Sequence, residues 1–91
     1  MKIEKMKSSR GNTVPNQFIL TDDKTNEYFK SYKSMIVKKD YEGEFVKIFL
    51  DRKYWNYSTT TGKYRNIFLN ETIKDTRKKI KSGEYILTDL N

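Results

Sequence analysis

The feature that most constrains the fold is a change of hydrophobic period near Ser58. Upstream the apolar residues alternate, as on strands, whereas downstream they recur every three or four residues, as on helices. Thr13 to Thr21, with Val14, Phe18, Ile19 and Leu20, reads as a strand, and Pro15 near its start points to strand entry or an edge position. Asp22 to Asn26 is a turn by composition. Glu27 to Tyr32 alternates as a half-buried strand does, and Met35-Ile36-Val37 is a short apolar run before the turn Asp40-Tyr41-Glu42-Gly43. Glu44 to Leu50 places Val46, Ile48 and Leu50 on one face and Phe45 and Phe49 on the other, the pattern of a central strand.

Beyond Ser58 or Thr60, either of which can cap a helix, Tyr64, Ile67 and Phe68 share one helical face. Asn70 reads as the cap of a second helix from about Glu71 to Ser82, closed by Gly83. Glu84 to Leu90 returns as a strand. The expectation is an α+β fold, an antiparallel sheet of four to five strands with two short helices from the C-terminal half on one face. Residues 1–12 read as a flexible basic segment and residues 13–91 as a single domain.

Composition enters where it excludes chemistry. The chain has 91 residues, with no cysteine and no histidine. Disulfides, thiolate metal sites, and histidine or cysteine catalysis are therefore closed to it. With 35% hydrophobic and 14% aromatic residues, a few large rings must supply much of the core. No apolar run follows the charged N-terminus and no membrane-length segment occurs, so a cytoplasmic protein is expected. No cofactor is implied.

A net charge of +7 is large for this size and attracts polyanions. Residues 46–91 carry ten Lys/Arg against five Asp/Glu, and residues 1–45 nine against seven. Lys74, Arg77, Lys78 and Lys81 stand at i, i+3, i+4, i+7 and line one helical face. Such stacked cations repel one another, and a polyanion relieves the repulsion. Arg52, Lys53, Lys63 and Arg65 interleave with Tyr54, Trp55, Tyr57 and Tyr64. The rings read mainly as core and the cations as surface contacts to phosphate. An ordinary solvated basic face is the competing explanation.

Gly62-Lys63 lacks the GxxxxGK[ST] frame of a P-loop. The one enzyme reading these residues allow is a metal-dependent nuclease using Asp40 and Asp51-Arg52-Lys53, a short pattern common by chance. The preferred expectation is a non-catalytic binder of DNA, RNA or a nucleoprotein complex. The alternative is an inhibitor that grips a host or phage enzyme through aromatic anchors, without nucleic acid.

The segments Ser9 to Phe18, Phe29 to Tyr32, Tyr54 to Ser58 with Thr61 to Tyr64, and Ser82 to Tyr85 together resemble small accessory proteins carried by phages and plasmids of Gram-positive bacteria. The resemblance covers most of the chain and implies a context, since such proteins include inhibitors of host defence such as anti-CRISPR proteins. It assigns no catalytic or ligand residue.

Overall fold

The computed structural model describes residues Met1–Asn91. Five strands come first: β1 (Lys2–Lys7), β2 (Thr13–Thr21), β3 (Glu27–Ser31), β4 (Ser34–Asp40) and β5 (Lys47–Asp51). Helices α1 (Thr59–Leu69) and α2 (Ile73–Ser82) follow, and then β6 (Tyr85–Thr88). The six strands form one sheet in chain order, β1 to β6. The first five pair as antiparallel neighbours, and β6 joins β5 in parallel. The α+β class is as expected. The extra strand is β1, and the parallel pair arises because two helices lie between β5 and β6, which carries the chain back to begin β6 beside the start of β5.

Register explains the two faces. Ile19, Phe29, Val37, Leu50 and Leu87 stand opposite one another across five strands. Directly paired residues point to the same face, and this row is the apolar ridge beneath the helices. Phe29, Val37 and Leu50 are fully buried there with Tyr64 and Phe68 of α1 and Tyr85 of β6. Phe29 stacks on Phe68 at 5.9 Å between ring centroids. The neighbouring row, Ile3, Leu20, Tyr28, Lys38, Phe49 and Ile86, faces the other way. The molecule is 22 Å through its shortest axis, enough for one sheet and one helical layer, so this second face carries no helix.

Several boundaries differ from the sequence reading. The first dozen residues include β1, whose lysines suit an exposed edge and whose Met6 reaches the core; one inward residue among cations gives no visible alternation. With β1 in place, β2 lies inside the sheet. Pro15 falls in the gap between the Lys5–Phe18 and Lys7–Thr13 pairs, where the ladder is irregular, and the edges are β1 and β6 instead. Phe45 and Val46 precede β5 and are exposed. Asn70 ends α1 in the left-handed conformation, with φ 55°, and Thr72 caps α2. Asparagine serves either role, and here the C-terminal one prevails. Ser58 and Gly83 cap as expected.

Two buried polar side chains lack protein partners for some of their atoms. The Gln17 amide has none at either end, and the Arg65 Nε has none. No helix is long and apolar enough to cross a membrane.

Candidate nucleic-acid interface

The helical layer concentrates the charge. Residues 59–82 contain seven Lys/Arg and two Asp/Glu, a net +5 of the chain's +7. Both carboxylates are engaged elsewhere. Asp75 accepts from Thr72 in the N-terminal cap of α2. Glu71 is almost enclosed and accepts hydrogen bonds from Lys79 Nζ (2.8 Å), Tyr85 Oη (2.6 Å) and Thr76 Oγ1. Burial alone would raise the Glu71 pKa, but these donors outweigh it and hold the carboxyl below its ordinary value. The Tyr85 hydroxyl is in turn pushed up to about 12 by its burial and the adjacent carboxylate.

Lys74, Arg77, Lys78 and Lys81 are exposed on α2, and none lies within ion-pair distance of a carboxylate. Their clustering, expected from helical spacing, is present in the structure. Lys63 projects from α1, exposed, 5.6 Å from the Tyr64 ring. Arg52 and Lys53 are exposed in the turn after β5, but Arg52 is drawn back toward the C-terminus, 3.9 Å from Asp89. They do not join the helical cluster through any contact.

Arg65 departs from expectation. The sequence pattern places it on the surface, yet it is only 1% exposed. One turn of helix on from Thr61, it shares the sheet-facing side of α1 with Tyr64 and Phe68, and its length lets the guanidinium thread under the 52–57 turn. Nη1 donates to the Trp55 carbonyl (2.8 Å) and Asn56 Oδ1 (3.2 Å), and Nη2 donates to Asn66 Oδ1 (3.0 Å). The Trp55 ring lies 5.3 Å from this guanidinium and 6.0 Å from that of Arg77. Every acceptor is neutral. Burial and the neighbouring Arg77 lower the Arg65 pKa from its usual value, and Glu71 only partly opposes them. Arginine stays protonated regardless, so a buried positive charge remains without a paired anion.

Two hollows flank the first turn of α1 and share Ser58 as a wall. The first, about 580 Å³, is lined by Tyr32, Lys33, Tyr54 and Tyr57 above Ile36 and Thr61. The second, about 600 Å³, is lined by Asn56, Gly62, Lys63, Arg65 and Asn66, with Ile73 of α2. No carboxylate lines either. Because both asparagines present Oδ1 to Arg65, their NH2 groups are turned away from it as donors. Sequence reasoning missed Tyr32, Asn56, Gly62 and Asn66. Their signal was a glycine inside a helical pattern and a tyrosine inside a hairpin turn.

The carboxylates of the nuclease motif are occupied by structure. Asp51 is buried, and it accepts from the backbone amides of Lys53, Tyr54 and Leu90. Asp40 Oδ1 accepts from the Glu42 amide. No group of three or more acidic side chains gathers in a way that could hold a metal ion.

Fold and site together define a small α+β domain with one bare sheet face and one electropositive helical layer. The chain belongs to the family described as "Family of unknown function (DUF8033)", whose model matches residues 1–85. No curated protein and no solved structure matches it.

Proposed function

We propose that this chain is a non-catalytic nucleic-acid-binding protein that engages DNA or RNA, free or within a nucleoprotein complex, through its helical layer. The observation that carries the reading is the net +5 of residues 59–82, where Glu71 is held by internal contacts and the exposed Asp75 caps α2 without forming an ion pair. A solvated basic face built only for solubility has no need to keep four neighbouring cations on α2, and Lys63 on α1, out of ion pairs. Bound phosphates would neutralise them and release counterions.

The test is a salt series of binding isotherms with DNA and RNA oligonucleotides. Affinity is expected to fall steeply, with one unit of log–log slope for roughly each phosphate contacted. Reversal of Lys74, Lys78 and Lys81 to Glu should remove most of the binding and most of the slope. Affinity indifferent to salt, or unchanged by the reversal, would reject the reading.

Within this proposal, an inhibitor of a host-defence nucleoprotein would use the bound nucleic acid as its handle. A second reading, a protein-partner inhibitor, draws support from the bare sheet face, where Ile3 and Ile86 are exposed. Purification of the tagged protein from a bacterial host, with and without nuclease, separates them. A stoichiometric partner that survives nuclease selects the second.

A further inference from the structure

Two residues beside the paired hollows are locally the wrong choice for the fold. Gly62 lies within α1 with no positive φ, and a Cβ added there would meet Arg65 Nη2 at 3.7 Å, Arg65 Nη1 at 3.9 Å and Asn56 Oδ1 at 3.9 Å. Those are ordinary van der Waals distances, so sterics do not demand glycine, while alanine would favour the helix. What the missing methyl leaves is room in the floor of the second hollow, directly over the guanidinium of Arg65, which is itself only 1% exposed. Tyr32 is the mirror case. It occupies the two-residue turn between β3 and β4 with φ 56°, a conformation that glycine or asparagine adopts with far less strain. Its ring is half exposed and lines the tyrosine hollow. A glycine where the helix prefers a side chain, and a ring where the turn prefers glycine, both border one site.

We infer that the two hollows form a single nucleotide-binding site for single-stranded nucleic acid. A backbone phosphate seats over Gly62 against Lys63 and Arg65, and the adjoining base stacks among Tyr32, Tyr54 and Tyr57. This deepens the nucleic-acid reading above and rests on it. The phosphate seat supplies what Arg65 lacks, an anion beside a buried cation, and the Asn56 and Asn66 amide groups add neutral donors. The Tyr57 ring is 67% exposed and braced edge-on by Tyr54 at 5.3 Å between centroids, which leaves it free for an unpaired base. Stacking of this kind is open to any base but requires that it be unpaired. The geometry therefore discriminates single strands from duplex, while the α2 cations supply attraction common to both.

The experiment measures binding of one labelled sequence as single strand and as duplex to the intact chain and to four variants: Gly62→Ala, Tyr32→Gly, Tyr57→Ser and the Lys74/Lys78/Lys81 reversal. Inorganic phosphate is titrated separately, read from the emission of Trp55, the single tryptophan, which abuts Arg65. The single strand should bind at least about tenfold tighter than duplex. Gly62→Ala and Tyr32→Gly should each lose about tenfold of that affinity, with melting temperatures unchanged or higher. Tyr57→Ser, at an exposed ring, should match them without disturbing the fold. Phosphate should alter Trp55 emission and displace the strand, but not in Gly62→Ala.

Equal affinity for duplex and single strand, abolished only by the α2 reversal, would overturn this inference and leave the helical-layer reading standing. Full affinity in all three pocket variants would overturn it as well. A chain that bound phosphate yet no strand would sink both.

Discussion

Glu71 and Arg65 are the two most enclosed charges of the helical layer, and they are treated in opposite ways. Glu71 meets a cation, a phenol and a hydroxyl; Arg65 meets a carbonyl, two amide oxygens and an indole face. The first is a closed structural joint that pins α2 to β6, since its partners come from both elements. The second is held rigidly but left electrically open. A protein that tolerates an enclosed charge without a counter-charge usually has a use for its field. In the proposed reading, the Glu71 side of the layer is scaffold and the Arg65 side is site.

The largest expected effect breaks the scaffold half. Glu71→Ala should destabilise the fold by about 3 kcal/mol in chemical denaturation, less than a wholly buried pair because Lys79 is partly solvated. The same joint sets a pH dependence. Glu71 has a lowered pKa, so its contribution is present at neutral pH and is lost as acid protonates it, below the ordinary glutamate range. Tyr85 has a raised pKa, from 10.0 to about 12, so its contribution is complete below pH 10 and disappears as pH climbs toward 12. Tyr85→Phe should flatten that alkaline loss while leaving the acid limb in place.

A smaller effect is expected at Arg65. Arg65→Met deletes a cation that has no anion to desert but leaves the Trp55 carbonyl and two asparagine oxygens without their donor, at a cost of about 1–2 kcal/mol. Phosphate should raise the melting temperature of the parent chain and not that of this variant. If Arg65→Met were as damaging as Glu71→Ala, the distinction between joint and site would fail.

How legible this was in the sequence differs between the same two regions. The strands after β1, the period change at Ser58 and the caps at Ser58 and Gly83 could be read because each depends on nearby residues, whereas the parallel β5–β6 pair could not. β1 could not, since its one inward residue, Met6, stands among cations. The α2 cations were also readable, because i, i+3, i+4, i+7 spacing fixes a face whatever the tertiary contacts. Arg65 was not. Its charge implied surface, and only the approach of the 52–57 turn to α1 reveals neutral acceptors waiting for it. The two hollows were invisible for the same reason: they join Tyr32 of one hairpin to Tyr57 and Gly62, about thirty residues on. Gly62 and Tyr32 nevertheless left a trace as local violations of helix and turn preference, which are informative where they border a cavity.

The most direct measurement is a residue-by-residue map of amide and side-chain NMR shifts in the 91-residue chain as a short oligonucleotide is added. The largest changes should fall at Tyr32 and Lys33 and within residues 54–82, including the Asn56 and Asn66 side-chain amides and the Trp55 indole. Ile3, Phe49 and Ile86 on the bare sheet face should stay silent. Changes confined to that sheet face, or none at any position, would contradict the account.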